Sequence, residues 1–392
     1  MAAEDKKAKT DLGQYFTTNE SLKAKVCEFV MNKPTIALEP SIGQGDLITC
    51  LVGKFADLKI DMYEIDESIE LLDGVDKTKV NYGNFMTQTI DTKYMTIIGN
   101  PPYVKTRSGN LYIQFIEKCF NLLSPGGEMV FIVPSDVFKL TGAHTLMSQM
   151  YNAGCFTHIY HPNDEKLFKN ASIDVVVFRY CLDPELTKTV MYNDVKMFVV
   201  NNNGMLTFSD TELGETIKIG DYFNVSVGIV SGNESVFRSE TLGNISVMVK
   251  PGVMSNYILI DKYPSGTADV DAHLLANKPA LIGRKIRKFS EKNWFEWGAL
   301  RNVEKMKQNG RCIYLSNLTR AVIVAEIGQI GYFGGALIML NETTPAGYTL
   351  ESVCDYLNSD KFKSNFMYSG RFKISHRQIS QSLIPISELV KP

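Results

Sequence analysis

The chain has 392 residues, of which 44% are hydrophobic and 21% are charged, with 41 Lys and Arg against 43 Asp and Glu. This length accommodates two domains that each bury a core, and the composition is ordinary for a globular protein. We expect an intracellular protein without membrane spans, because the apolar runs fall short of about 18 residues and the first residues are polar. The seven cysteines form no CxxC pair, which indicates reduced thiols and predicts no metal site.

The first half of the chain alternates short apolar runs with helical patterns, which is typical of βαβ units. A helix is predicted from about Ser21, with Asn19 or Thr18 as its N-cap. Residues 35–39 are predicted to form the first strand, and a helix should follow from Leu47.

The turn between this strand and this helix has the pattern Glu-Pro-x-x-Gly-x-Gly, from Glu39 to Gly45. Glycines at positions 43 and 45 allow a tight bend and a close approach of a ligand to the backbone. The spacing is shorter than that of the dinucleotide-binding GxGxxG motif. The turn therefore predicts a ligand loop that is not built to cradle a pyrophosphate.

A second predicted strand, residues 60–63, ends at Glu64. An acidic residue at the end of the second strand commonly binds a ribose diol, because two carboxylate oxygens can accept both hydroxyl protons. The alternative is that Glu64 caps the following turn or helix.

A third strand, residues 95–99, leads into Asn100-Pro101-Pro102-Tyr103. Open α/β sheets bind ligands at the carboxyl ends of their strands. The Asn100 side-chain oxygen and the Pro101 carbonyl could accept both N–H bonds of an aromatic amine and draw its lone pair out of the ring. The prolines restrict the backbone, so the direction of that carbonyl is set in advance, and Tyr103 offers a ring for stacking. The alternative is a rigid Pro-Pro turn that only ends a strand.

Later apolar runs predict strands at residues 128–135 and 173–178, with Phe168 shortly before the second. The segment Asn201-Asn202-Asn203-Gly204 between two apolar runs predicts a hairpin. We place the domain boundary there, which gives domains of residues 1–200 and 201–392.

These motifs, in this order, resemble those of the gamma-class N6-adenine DNA methyltransferases of restriction–modification systems. The resemblance implies an α/β fold in residues 1–200, a Rossmann-like methyltransferase domain with a mostly parallel twisted sheet flanked by helices. It also implies S-adenosylmethionine as the cofactor and a C-terminal mixed α+β target-recognition domain. Such enzymes act on double-stranded DNA, and the sequence leaves open whether a separate cognate restriction endonuclease exists here.

The resemblance also implies roles for particular residues. The catalytic residues would be Asn100, Pro101, Pro102, Tyr103 and Phe168, with Phe168 edge-on to a flipped base. Asn84 stands where the family usually has an Asp that meets the adenine of the cofactor, so charge assistance is lost there. The cofactor would be bound by Tyr15, Phe16, Thr17, Glu39, Pro40, Gly43, Gly45, Glu64, Ile65, Asn84, Phe85 and Asn100.

Basic residues are concentrated in the second half, in contrast to the net charge of −2. Residues 284–320 contain ten Lys or Arg against three acids, and residues 361–377 contain five and none. Basic groups interleaved with aromatic residues suit contacts with DNA phosphates and guanine edges. The predicted DNA contacts are Arg284, Lys285, Arg287, Lys288, Arg301, Arg371, Lys373 and Arg377.

Two other functions remain open at this point. Related Asn-Pro-Pro-Tyr enzymes methylate RNA adenine or a protein glutamine, but about 190 residues follow the catalytic half here, which is more than those enzymes usually append. A non-enzymatic DNA-recognition subunit with a degenerate cofactor fold is the third possibility, and the intact glycine loop, Glu64 and Asn100 argue against it.

Overall fold

The computed structural model describes residues 15–168, 171–343 and 348–389. The chain divides after Leu213 into two units, and the short segment Tyr368–Gly370 belongs with the first. Of the predicted N-terminal cofactor segment, Tyr15, Phe16 and Thr17 are described, whereas residues 12–14 lie outside the described range.

The first unit is built around one large sheet. Its described helices are α1 (Glu20–Phe29), α2 (Asp46–Lys54), α3 (Leu111–Leu122) and α4 (His144–Ala153). Its strands are β1 (Ile36–Glu39), β2 (Lys59–Glu64), β3 (Val80–Tyr82), β4 (Tyr94–Gly99), β5 (Lys105–Thr106), β6 (Gly109–Asn110), β7 (Leu123–Pro134), β8 (Cys155–Tyr160), β9 (Val175–Cys181), β10 (Thr189–Tyr192), β11 (Val195–Asn202) and β12 (Met205–Ser209).

The sheet has the strand order β12-β11-β10-β8-β9-β7-β4-β1-β2-β3. The pairs β1–β2, β2–β3, β1–β4 and β4–β7 are parallel, whereas β9 runs antiparallel to both β7 and β8. Strand β1 lies between β2 and β4 in the sheet. The chain adds β2 and β3 on one side of β1 and then crosses over to add β4 on the other side. Ligand crevices of open α/β sheets lie at this kind of switch point, outside the carboxyl ends of the strands.

Both faces of the sheet are covered, because alternate residues of a strand point to opposite faces. In β7, Val130 and Ile132 pack with α1 and α2, whereas Met129 and Phe131 pack with α3 and α4. Helix α1 begins where predicted, since the Asn19 side chain accepts hydrogen bonds from the first-turn N–H groups. The expected Rossmann-like α/β fold is confirmed.

The predicted hairpin is present, with Asn202 paired to Met205 across the β11–β12 turn. Both strands extend the large sheet, because β10 pairs with β8 and then carries β11 and β12 outward. The division of the chain therefore falls at residues 213 and 214, later than the predicted 200 and 201.

The second unit is a mixed α+β body. Its helices are α5 (Ile219–Tyr222), α6 (Glu234–Phe237), α7 (Ala268–Ala276), α8 (Lys278–Ile282), α9 (Val303–Met306), α10 (Leu350–Asn358), α11 (Asp360–Lys363), α12 (His376–Gln381) and α13 (Ile386–Leu389). The strands from this part of the chain are β13 (Thr216–Lys218), β14 (Phe223–Val227), β15 (Ile245–Lys250), β16 (Val253–Tyr257), β17 (Arg311–Ser316), β18 (Leu318–Thr319), β19 (Ala325–Gln329), β20 (Leu337–Glu342), β21 (Met367–Tyr368), β22 (Arg371–Lys373) and β23 (Leu383–Pro385). Its largest sheet is antiparallel, in the order β14-β20-β17-β19.

Candidate active site

A cavity of about 460 Å³ opens in the first unit at the carboxyl ends of β1, β2 and β4. It brings together nearly all the residues predicted to bind the cofactor. Its wall contains Tyr15, Phe16, Thr17, Glu39, Pro40, Gly43, Glu64, Ile65, Asn84, Phe85 and Asn100, together with Pro102 of the predicted catalytic set. Of the other predicted residues, Gly45, Pro101, Tyr103 and Phe168 do not line this cavity.

Both glycines of the first loop have backbone conformations that side chains rarely adopt. Gly43 has φ of +56°, and a Cβ there would lie 3.1 Å from the Phe16 ring. Gly45 has φ of +92°, and its Cβ would lie 2.5 Å from Val75 Cγ2. Gly43 therefore forms part of the cavity wall. Gly45 does not line the cavity, and its conformation instead permits the turn into α2.

Glu64 joins the ends of β1 and β2. Its Oε2 accepts a hydrogen bond from the Gly43 N–H at 2.9 Å, and its Oε1 accepts from the N–H groups of Ile65 and Asp66 at 2.9 and 3.0 Å. The two N–H groups fill the acceptor positions of Oε1, so the further acceptor position of this carboxylate is on Oε2. Burial raises the pKa of Glu64, and these backbone N–H groups counteract part of that rise. The predicted site for a diol thus lies in the cavity, already oriented by the glycine loop.

Glu39 is the least compensated charge of the cavity. Its side chain is 1% exposed, and neither carboxylate oxygen has a hydrogen-bond partner among the described residues. It occupies space left by Gly99, where a Cβ would lie 3.2 Å from Oε1. Burial raises the pKa of Glu39 well above its ordinary value, the backbone N–H of Ser41 opposes this in part, and Glu64 adds to it. A buried acid of this kind calls for a positively charged or hydrogen-bonding ligand.

Both the nitrogen and the oxygen of the Asn100 side-chain amide form hydrogen bonds. Its Nδ2 donates to the Tyr15 carbonyl at 2.7 Å and to Thr17 Oγ1 at 3.0 Å. Its Oδ1 accepts from the Tyr103 hydroxyl at 2.5 Å, and that hydroxyl also lies 3.0 Å from the Ile132 carbonyl. One acceptor position of Oδ1 remains, because an amide oxygen has two lone pairs. The predicted acceptor is thus fixed in orientation before any substrate binds.

Three aromatic rings meet beside Asn100. The Tyr15 ring is stacked on the Tyr103 ring, with centroids 5.6 Å apart and an angle of 24° between the planes. Phe168 lies edge-on to Tyr103 at 6.2 Å and 82°, and it is almost fully buried among core residues. Tyr15 therefore covers one face of Tyr103, the ring that was predicted to stack on a base.

Asn84 and Phe85 follow the carboxyl end of β3. Asn84 lines the cavity, but its Oδ1 also accepts from the Met86 N–H at 3.0 Å. Phe85 is buried and packs against Phe115, which also lines the cavity. The Asn84 amide therefore caps the turn that follows it and also forms part of the cavity wall.

The cavity also contains residues that the sequence did not single out. Asp46 follows Gly45 directly, lines the wall and is nearly buried, and burial raises its pKa. Its position in the glycine loop was a usable signal. Gln114 and Thr106 come from α3 and β5, and no local pattern in the sequence marks them.

The predicted DNA contacts of the second unit separate into different environments. The prediction for Arg284 is wrong, because the side chain is 8% exposed and packs on Phe289, with the guanidinium 3.7 Å from the ring centre. It donates hydrogen bonds to four backbone carbonyl oxygens, those of Ser231, Leu281, Trp294 and Glu296. Arg284 is thus a buried structural residue.

Other basic residues of the same clusters face solvent. Lys285, Lys288, Arg301, Lys373 and Arg377 are exposed, and Arg371 is half-buried. The Arg287 guanidinium forms an ion pair with the Glu296 carboxylate, with 2.7 Å between Nη2 and Oε2.

The fold also joins the two basic clusters. Burial lowers the pKa of the His376 imidazole, and the positive charges of Arg377 and Arg301 lower it further, which indicates that both guanidinium groups lie in its neighbourhood. Two arginines that are 76 positions apart in sequence therefore form one exposed basic patch of the second unit, together with His376.

The strand order and the cavity at the carboxyl ends of β1, β2 and β4 define the first unit as a Rossmann-like α/β domain. Residues 46–168 match the family model of the Eco57I restriction-modification methylase. This match begins at Asp46, directly after the glycine loop, and covers Glu64, Asn100–Tyr103 and Phe168.

Relatives agree with this match. The chain is 27% identical over 252 residues to the Type II methyltransferase M.HincII of Haemophilus influenzae, covering 58% of this chain and 48% of the relative. It is 31% identical over 149 residues to the Type II methyltransferase M.CvrRI of Paramecium bursaria Chlorella virus XZ-6E, covering 34% of this chain and 39% of the relative. The chain thus spans about half the length of the relatives it matches, or less.

One solved structure shares the fold over most of the chain. The Type IIL restriction-modification enzyme MmeI, solved in complex with DNA, has a TM-score of 0.56 at 9% identity, covering 92% of this chain and 63% of that one. At this identity the likeness concerns the fold alone.

S-adenosylmethionine is the cofactor expected for a methylase domain, and the cavity fits it. The partnerless Glu39 carboxylate suits the cationic methionine end, Glu64 suits a ribose diol, and Ile65 and Phe85 supply apolar surface for an adenine. In the described residues, no group of His, Cys, Asp and Glu side chains is arranged to hold a metal ion. None of the described helices has the length and hydropathy that crossing a membrane requires.

Proposed function

We propose that this chain is a DNA methyltransferase that transfers a methyl group from S-adenosylmethionine to N6 of an adenine flipped out of duplex DNA. It would be the modification enzyme of a restriction–modification system. The observation that carries the proposal is the fixed Asn100 amide at the edge of a cavity where the buried Glu39 carboxylate accepts no hydrogen bond within standard distance from the described residues. DNA as the substrate is supported by the Eco57I methylase match and by the exposed basic patch of the second unit.

The residues of the cavity would divide the binding of the cofactor between them. Glu39 would face the positively charged methionine end, and the remaining acceptor position of Glu64 Oε2 would accept a hydrogen bond from a ribose hydroxyl. Thr17 and Tyr15 hold the Asn100 amide through its Nδ2, so closure of the N-terminal segment and alignment of the acceptor would be one event. When bound, the cofactor supplies an electrophilic methyl group on a sulfonium.

Asn100 and Pro101 would accept the two N–H bonds of the target amine. This draws the nitrogen lone pair away from the ring and toward an in-line attack. The neutral Asn100 amide avoids an ion pair with the sulfonium, and no strong base is required, since the methylated nitrogen is acidic. Most of the rate would come from positioning and from dipoles aimed at the developing charge.

A base inside a duplex cannot reach this acceptor, so the adenine must be extruded, at a cost of a few kcal/mol. Stacking on Tyr103 would offset about 1–3 kcal/mol of that cost. Burial raises the pKa of the Tyr103 hydroxyl well above its ordinary value, so the group stays protonated and keeps donating to Asn100.

The test is methylation of plasmid DNA by the purified chain, followed by sequencing that detects modified bases. We expect N6-methyladenine at one short sequence, and no signal with Asn100→Ala. Cytosine modification, or the absence of any modification of DNA, would contradict the proposal. Parallel assays with tritiated cofactor and RNA or protein test the two other methyltransferase functions. Calorimetry with the cofactor tests the non-enzymatic function, which requires that the chain does not bind S-adenosylmethionine.

A further inference from the structure

A loop of the second unit presents aliphatic side chains to solvent. It consists of residues 318–323, here called the apolar loop, between β17 and β19. Leu318 is 52% exposed, Val322 is 77% exposed and Ile323 is 56% exposed. Exposed aliphatic residues that are close together mark interaction sites more often than isolated ones do.

The apolar loop is held firmly at its carboxyl end. The Asn358 side-chain oxygen accepts hydrogen bonds from the N–H groups of Val324 and Ala325, at 2.8 and 3.0 Å. The Lys363 ammonium donates to the Val322 carbonyl at 3.1 Å. The exposed side chains are therefore carried on an ordered backbone, which lowers the entropy lost when they bind a partner.

Cationic residues border these aliphatic side chains. Strand β18 pairs antiparallel with β22, and Leu318 lies directly opposite Lys373, so their side chains share one face of the ribbon. Arg320, within the loop, and Lys373 are both exposed. A partner that fits must offer anionic groups around an apolar interior. Duplex DNA has this arrangement, with phosphates outside and stacked bases inside.

We infer that the apolar loop inserts Val322 and Ile323 into the base stack of duplex DNA, while Lys373 and Arg320 contact the flanking phosphates. The inference rests on the proposed function for its DNA substrate and adds how the second unit engages it. Aliphatic side chains inserted between base pairs unstack and kink the duplex in other DNA-binding proteins. Unstacking is also part of what extrusion of a base requires.

The test uses the full chain with the double substitution Val322→Ser and Ile323→Ser, and DNA that contains the sequence the wild type methylates. We expect affinity to fall about tenfold or more, because the buried aliphatic surface is lost. The salt dependence of binding should stay unchanged, because no phosphate contact is removed. Plasmid relaxed by a topoisomerase in the presence of the protein should lose the change in linking number that the wild type produces.

Two matched variants separate insertion from electrostatics and from general apolar exposure. Lys373→Gln should lower the salt slope by about 0.9 and leave unwinding in place. Val253→Ser with Met254→Ser alters another pair of exposed apolar residues, in the hairpin of β15 and β16, which are 46% and 48% exposed, and should change neither quantity.

Three results would overturn the inference. If the wild type methylates DNA and the Val322 and Ile323 variant unwinds DNA equally well, the inferred insertion is wrong and the proposed function still holds. A wild type that binds cofactor but neither binds nor methylates DNA would remove both. Sedimentation that shows a dimer dissociated by the double substitution would assign the apolar loop to contact between two copies of the chain.

Discussion

Tyr15 lies stacked on Tyr103, the ring that the proposed reaction needs for the extruded adenine. A stacked base occupies about 3.4 Å, so two rings that enclose one must be about 7 Å apart. The observed distance between centroids is 5.6 Å. Tyr15 and a stacked base therefore exclude each other from this face of Tyr103, and stacking of the base on this face requires Tyr15 to move.

The first prediction concerns this competition. Tyr15→Ala should increase the population of extruded base about 2- to 10-fold in the absence of cofactor, because one aromatic contact no longer has to be broken. Fluorescence of 2-aminopurine placed at the target position measures this population. Phe16→Ala, which changes the same cavity without a stacked contact to Tyr103, is the control. Equal or weaker fluorescence with Tyr15→Ala would show that Tyr15 does not compete with the base.

The second prediction separates the acceptor from the group that holds it. Asn100→Ala should lower the single-turnover rate of methyl transfer by about 10²-fold or more, as expected for the loss of an aligned polar group. Tyr103→Phe keeps the ring and removes the hydroxyl that donates to Asn100 Oδ1, so a smaller loss of about tenfold is expected. A Tyr103→Phe rate equal to the wild type would mean that Asn100 needs no such support.

The third prediction follows from the partnerless carboxylate of Glu39. Its pKa is raised in the folded chain, so the folded state holds the proton more tightly than the unfolded state does. Stability of the cofactor-free protein should therefore fall as pH rises above the ordinary value of 4.5, and the loss is complete once pH exceeds the raised pKa.

Glu39→Gln removes this titration. Urea unfolding should find the variant more stable than the wild type at neutral pH, with no difference well below 4.5, where both side chains are neutral. Calorimetry should show weaker binding of S-adenosylmethionine by the variant, because the anionic partner of its methionine end is gone. An unchanged affinity would place Glu39 away from the cofactor.

The fourth prediction distinguishes two kinds of arginine in the second unit. Arg284→Ala should lower the free energy of unfolding by at least about 3 kcal/mol, since it leaves buried carbonyl groups without donors. Arg301→Gln with Arg377→Gln should leave stability unchanged and reduce the salt slope of DNA binding by about 2. Anisotropy titrations at several salt concentrations measure the slope, and an unaltered slope would exclude this patch from phosphate contact.

Local patterns predicted some strands and turns of the first unit closely, whereas β7 begins five residues before the predicted 128 and β9 ends three residues after the predicted 178. The starts and ends of β1, β2 and β4, the cap at Asn19 and the hairpin before Gly204 agree with the structure within a residue or two. These features depend on apolar periodicity and on the conformational limits of Gly, Pro and Asn, which act over a few residues. The domain boundary was placed too early, because no local pattern states that β11 and β12 add to the edge of the large sheet.

What the sequence determined by itself was the set of chemical groups at the ends of the strands, together with their order along the chain. Only the tertiary structure decided which of those groups have partners. In the part of the chain that the structure describes, folding provides no hydrogen-bond partner within standard distance for the Glu39 carboxylate, stacks Tyr15 on Tyr103 and buries Arg284 against backbone carbonyls. The reason is physical: secondary structure follows from neighbours within a few residues, whereas the partner of a buried polar group is set by packing between segments that are far apart in the chain.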